Sequence, residues 1–404
     1  MMWEQIRSNQ IRSAVLVAGL GVLLLLLGYF LGLYFFGNAV AGLIIALIVW
    51  GIMYLIAYTQ GDSILLSVSG ARKITRDDHP RLYNVVEEMK IASGLEKMPD
   101  IYIIDDPALN AFATGRSPDK ASVAITSGLL QKLNRDELQG VIGHEISHVR
   151  NRDVMLMSIA GVILGTVVIL AWYASRMMFF GAMTGGRSGR RGTSSGGGQG
   201  QIIILAVGIV FMILAPIAAQ LLYFAISRKR EYLADASSAL YTRYPEGLAS
   251  ALEKLAGSTQ QLKSANRATA PMYTVNPFRG EGRAAADLTS THPPISERIR
   301  ILRAMAGASV ADYDKAYRSV KGRGVIPVSA LANAAGVPLR SVTSEGAAAT
   351  EDRIGQTRET TALLWNLGNY RTVDCACGTK LRVPPTFKAP SIRCPHCGRV
   401  NQLK

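Results

Sequence analysis

The sequence predicts a mainly helical α+β chain with four apolar helices of membrane-crossing length. A globular part is split around the second helix pair, and a small cysteine-built module closes the chain. Three observations predict this. The 404 residues are 49% hydrophobic and only 18% charged, against about 25% charged in an average soluble domain. The apolar excess is gathered into long uncharged runs. All four cysteines fall in two tight pairs after residue 374. The length excludes a peptide hormone or a disulfide-stapled miniprotein. Lys and Arg number 44 against 29 Asp and Glu, a formal +15, which suits a negative partner: nucleic acid, or the anionic lipids of a cytoplasmic leaflet.

Ala14 to Phe36 carries no charge, and at about 1.5 Å per residue it crosses a hydrocarbon core of roughly 30 Å. A second run, Ala39 to Tyr58, follows directly, so residues 1–62 are expected to form a membrane hairpin. A second pair, Val154 to Ser175 and Ile202 to Ile226, is expected within 154–227. Pro216 and Gln220 in its last helix need a bundle interior. Arg7, Arg12, Arg72, Lys73, Arg76, Arg150, Arg152, Arg228, Lys229 and Arg230 flank the spans on one side, which the positive-inside rule makes the cytoplasm. Arg187, Arg190 and Arg191 run against that rule, in a Gly/Ser tract that faces outward if all four segments span.

Residues 63–153 have globular patterning. Pro80 starts a helix with Leu82, Val85, Val86 and Met89 on one face and Gly94 as its stop, and His79 reads as a helix-start residue. Ile101–Ile104, Ala111–Thr114 and Ser122–Thr126 read as strands. Asn134 with Glu137 predicts a capped helix start. On that helix stands His144-Glu145-Ile146-Ser147-His148, the H-E-x-x-H pattern. Residues four apart lie nearly above one another, so both imidazoles can converge on one Zn²⁺ while Glu145 reaches the fourth position and serves as general base. Two structural histidines without a metal are the alternative.

Catalytic zinc takes a third protein ligand, and no third His follows at the spacing of the metzincins. After the fourth run comes Arg230-Glu231-Tyr232-Leu233-Ala234-Asp235, with carboxylates at i and i+4. Glu231 fits as the ligand and Asp235 as the acceptor that orients a ligating imidazole; by itself the pair also fits a solvated helix face.

These residues resemble the HtpX-type membrane zinc metallopeptidases, relatives of the CAAX prenyl proteases. The resemblance rests on Asn110-Ala-Phe-Ala-Thr-Gly115, Gly143-His-Glu-Ile-Ser-His148, Arg230-Glu-Tyr-Leu-Ala-Asp235 and Thr291-His-Pro-Pro294 with Arg298-Ile299, in family order, over roughly residues 10 to 302. It implies a cytoplasm-facing, gluzincin-like zincin domain held between membrane hairpins, with its second part at 228–304. It also implies endoproteolysis of misfolded or damaged membrane proteins, and zinc held by His144, His148 and Glu231. Carried over by position, Glu145 is the base and Asp235 stands behind the ligands. His292 is either a donor to the oxyanion or a helix-start residue. Asn110, Ala111, Phe112, Ala113 and Thr114 form either a strand that pairs with extended substrate or an ordinary sheet edge.

Beyond Leu302 the chain departs from the family pattern. Residues 305–371, rich in Ala, Gly, Ser and Thr, are expected to be a linker with at most small helices. In 372–404, Cys375, Cys377, Cys394 and Cys397 form two knuckles each followed by Gly, which predicts a zinc ribbon with one structural Zn²⁺; His396 reads as a spacer. The expected partners are polypeptides, chiefly membrane proteins, and a bilayer with anionic lipids, rather than nucleic acid. A peptidase dedicated to one lipidated or signalling substrate, or a non-catalytic membrane adaptor binding through its ribbon, are the alternatives.

Overall fold

The computed structural model describes residues 2–154, 171–173, 176, 217, 228, 230–263, 273–274, 293–326, 328–331, 336–340 and 353–403. Helices α1 (Met2–Phe36) and α2 (Ala39–Val68) pack together as a helical hairpin. Asn38 caps α2, its Oδ1 accepting from the Val40 amide at 2.9 Å. The two helices touch backbone to backbone at Gly42, where an added Cβ would lie 2.1 Å from the Gly28 carbonyl oxygen. Among the described residues one helix is long and apolar enough to cross a membrane, over Ala39–Ile56 with mean hydropathy 2.6. The expected second pair of spans falls almost wholly outside the described residues.

The hairpin was expected to end at residue 62, yet α2 continues unbroken to Val68. Gln60, Asp62 and Ser63 end the apolar run, but Leu65 and Leu66 find a protein partner: they pack against Phe112 and Tyr273. The apolar helix thus runs directly into the globular part.

That part holds a four-stranded sheet of β1 (Ala71–Ile74), β2 (Asp100–Ile104), β3 (Ala111–Gly115) and β4 (Ala121–Thr126) in the order β1-β2-β4-β3. β2 and β4 are parallel and the other pairs antiparallel, so β3 is an edge strand. Helix α3 (Pro80–Ser93) begins as its sequence predicts, the His79 ring accepting from the Leu82 amide at 3.2 Å. After α4 (Ser127–Lys132), helix α5 (Arg135–Arg150) opens with the predicted capping box: Asn134 and Glu137 exchange side-chain-to-backbone bonds of 2.8 Å each.

Against α5 lie α6 (230–242) and α7 (Pro245–Ala256). Ser238 Oγ donates to the Gly140 carbonyl at 2.7 Å and draws α6 onto α5. A Cβ on Gly140 would sit 2.6 Å from the Leu248 amide nitrogen, a backbone atom that cannot swing aside. Gly140→Val is therefore expected to push α7 off α5 and cost about 1–3 kcal/mol, seen as a lower unfolding midpoint in a thermal melt.

The stretch 305–371 departs from the expected linker. Helix α8 (Ile295–Arg303) is followed by α9 (Val310–Lys321), capped by a Ser309–Asp312 box, and by α10 (Arg353–Leu367). Tyr313, Ala316 and Tyr317 of α9 and Leu363 of α10 belong to the main core. An Ala/Gly/Ser-rich composition concealed an i, i+3, i+4 apolar stripe short enough to escape notice. Arg72 also bonds the Leu367 carbonyl, fixing the end of α10 beside β1. Two hairpins close the chain: β5 (Arg371–Asp374) with β6 (Lys380–Val383), and β7 (Ser391–Arg393) with β8 (Val400–Gln402).

Candidate metal centre and active site

Helix α5 places His144 and His148 one turn apart, both buried, with their Nε2 atoms 3.3 Å apart. Each ring is oriented by a buried carboxylate at its other nitrogen. His144 Nδ1 lies 3.0 Å from Asp235 Oδ1, and His148 Nδ1 lies 3.1 Å from Asp153 Oδ2. Donating Nδ1–H to those carboxylates leaves both Nε2 lone pairs facing inward.

Helix α6 brings Glu231 to the same point: Oε2 is 3.6 Å from His144 Nε2, and Oε1 is 3.4 Å from His148 Nε2. Three atoms bearing lone pairs crowded together repel one another unless a cation sits among them. The spacing fits one ion, since ligands about 2.0–2.1 Å from a tetrahedral zinc stand roughly 3.3–3.4 Å from each other. Burial disfavours a charged ring at both histidines, but the carboxylates outweigh it: Asp235 and Glu231 raise the His144 pKa, and Asp153 and Glu231 raise that of His148. The same negative field suits a divalent cation held among these atoms.

Behind the ligands lies Arg298 of α8, wholly buried. Its Nε and Nη2 grip Asp235 at 2.8 and 2.6 Å, and its Nη1 is 3.4 Å from Glu231 Oε2. Burial works against the Asp235 charge, yet Arg298 and His144 together hold its pKa below the ordinary value.

In front, Glu145 shares a small pocket with the three ligands, Ala113 and Thr274. Glu145 Oε1 accepts from Thr274 Oγ1 at 2.6 Å. Of the predicted Asn110–Thr114, residues from Ala111 on lie in the edge strand β3 (Ala111–Gly115), and Ala113 brings it to the pocket. Its Phe112 stacks edge-on against Tyr273 at 5.1 Å. His292 lies outside the described residues.

The four cysteines gather at the far end of the chain, every Sγ within 4.8 Å of the others. Cys375–Cys397 and Cys377–Cys394 are 3.5 and 3.7 Å apart, near the roughly 3.8 Å edge of a tetrahedron built on Zn–S bonds of about 2.3 Å. Hydrogen bonding with Thr379 pulls the Cys377 thiol down to about 5, while its cysteine neighbours push Cys397 up to about 12.

Sequence reasoning missed Asp153 and Thr274, and named Arg298 only within a motif, with no role. Asp153 offered a faint signal, a lone carboxylate five residues after the second His and just before an apolar run. Asp153→Ala is expected to weaken zinc binding about 10–100-fold, measured by competition with a chromogenic chelator.

Two imidazoles and a carboxylate around one point, with a glutamate and a strand edge beside them, are the parts of a metallopeptidase centre. The match of the Peptidase family M48 model to residues 76–306 agrees, and the chain belongs to that family. Proteins named protease HtpX homolog are similar to it. One from Dictyoglomus turgidum is 46% identical over 303 residues, 75% of this chain and 94% of that relative. One from Listeria monocytogenes is 40% identical over 306 residues, 76% of this chain and 100% of that relative. One from Streptococcus pneumoniae is 43% identical over 305 residues, with the same two shares. A crystal structure of S. mikatae Ste24p matches with a TM-score of 0.39 at 22% identity, over 74% of this chain and 66% of that one. The chain is thus a metallopeptidase, and His144, His148 and Glu231 fit HExxH with a third Glu ligand.

Proposed function

We propose that this protein is a membrane-held zinc endopeptidase that cleaves misfolded or damaged membrane proteins on the cytoplasmic side. The observation that carries the substrate class is the continuity of α2 from its apolar span into the wall of the site. Leu65 and Leu66 pack on Phe112 and Tyr273 of the edge-strand region, only about 15 Å past the end of Ala39–Ile56 at about 1.5 Å per residue. A site so close to the bilayer suits polypeptide segments that emerge from it. The second pair of spans and the anionic-lipid contact belong to the same reading, supported by the apolar runs and the +15 charge.

His144, His148 and Glu231 would hold the zinc, which when bound supplies a Lewis acid that polarises the scissile carbonyl and makes water a nucleophile near neutral pH. Glu145 takes the proton of the attacking water and delivers it to the leaving amine. Asp235 and Asp153 hold the two rings in the tautomer that presents Nε2. Backbone pairing along β3 would accept varied sequences, because it reads the main chain and not the side chains.

The test is cleavage in proteoliposomes of unrelated membrane proteins carrying an unfolded juxtamembrane segment, with the scissile region moved outward in steps. The expected result is zinc-dependent cutting near the bilayer that declines with distance. Cutting that ignores tethering would refute the membrane-substrate reading, and cutting of a single sequence only would favour a dedicated processing peptidase.

The terminal hairpins fit a zinc ribbon that recruits protein substrates, exposing Lys380, Lys388, Arg393 and Arg399. Deleting 372–404 is expected to reduce cleavage of selected proteins while an unfolded generic substrate such as casein is still cut. Equal loss for both would assign the ribbon to stability. Metal analysis of the same protein is expected to fall from two zinc ions per chain to one.

A further inference from the structure

We propose that Thr274 is a positioning residue for the catalytic base, tying Glu145 to the edge strand that receives substrate; this rests on Glu145 being the base. The Thr274 amide donates to the Ala111 carbonyl at 2.8 Å. Its hydroxyl lies 2.9 Å from that carbonyl and 2.6 Å from Glu145 Oε1. Thr274 is 2% exposed, so water does not replace these contacts.

A hydroxyl has one hydrogen and two lone pairs. Facing an ionised Glu145, it donates to the carboxylate, and the Ala111 carbonyl keeps the Thr274 amide as its partner. Once Glu145 has taken the proton of the attacking water on its other oxygen, Oε1 is still an acceptor and the same hydroxyl goes on donating to it. The base therefore has a hydrogen-bond partner before and after proton transfer with no heavy atom moving, the kind of preorganisation that lowers a barrier. Arg298 Nη1, 3.5 Å from the Thr274 carbonyl, and Tyr273 stacked on Phe112 hold the residue in place.

The same contact sets where substrate can pair. The Thr126 amide donates to the Asn110 carbonyl, so Asn110, Phe112 and Thr114 turn their backbone groups toward β4, and Ala111 and Ala113 turn theirs outward. Thr274 occupies the Ala111 carbonyl. Among the described residues, Ala113, which lines the pocket, is the next outward-facing position and lies beside the base.

The test compares Thr274→Val, which keeps the shape and the amide, with Thr274→Ser, which keeps the hydroxyl, in the full-length protein with a fluorogenic peptide. For Thr274→Val, kcat is expected to fall roughly 10–100-fold, the scale of one hydrogen bond to a charged group. KM, zinc content and melting temperature should stay as in the unaltered protein, and Thr274→Ser should recover most of kcat. A valine variant with unchanged kcat, equal losses for both variants, or loss of zinc with activity would each overturn the proposal. Glu145→Gln run alongside separates the two readings: if it still cleaves, the base assignment fails. If it is inert and Thr274→Val is not impaired, Thr274 alone fails.

Discussion

Glu145→Gln is expected to keep its zinc and to lose peptide hydrolysis by on the order of 10²–10⁴-fold, the usual contribution of a positioned proton-transfer group. The substitution removes only the ability to take a proton. Gln has nearly the shape of Glu, and the Thr274 hydroxyl can donate to its carbonyl oxygen as it does to Glu145 Oε1. The three ligands and their carboxylate partners are left as they are, so metal analysis should match the unaltered protein. Hydrolysis at the original rate in a zinc-replete variant would remove Glu145 from the chemistry and leave the pocket without a base.

The site was legible in the sequence where its parts lie close along the chain. An i, i+4 repeat on one helix face is a local property, so His144, Glu145 and His148 could be read directly, as could the Asn134 and Glu137 cap that starts their helix. Glu231 and Asp235 were legible as a pair for the same reason, and their position after an apolar run suggested the link to the histidines. Arg298 was legible only as a letter in a motif. Its side chain meets Asp235 across 63 positions of sequence, through the packing of α8 on its neighbours, and no periodicity announces such a contact. Thr274 is harder still: a lone hydroxyl among polar residues matters only because the fold lays it between β3 and α5. The 305–371 stretch shows the opposite failure. Its small residues suggested a tether, but Tyr313 and Tyr317 needed only one turn of helix to reach the core, and the composition of a window that long diluted them.

Arg298→Met is expected to have the largest effect on stability. The guanidinium is wholly buried and bonds both oxygens of an equally buried Asp235. Removing one member of such a pair leaves an uncompensated charge in the interior, at a cost of about 3–5 kcal/mol. Because the folded pKa of Asp235 lies below its ordinary 3.8, the stabilisation the pair contributes is complete above about pH 4 and fades as pH falls through the lowered value. The double variant Arg298→Met/Asp235→Leu removes both charges and should recover much of the melting temperature. It should not recover zinc affinity, since His144 Nδ1 would have lost the carboxylate 3.0 Å away that fixes its tautomer. Stability and metal binding would then separate in a thermal melt and a chelator competition on the same protein. If the double variant binds zinc as tightly as the unaltered chain, Asp235 serves only to neutralise Arg298, and the orientation of His144 must come from packing alone.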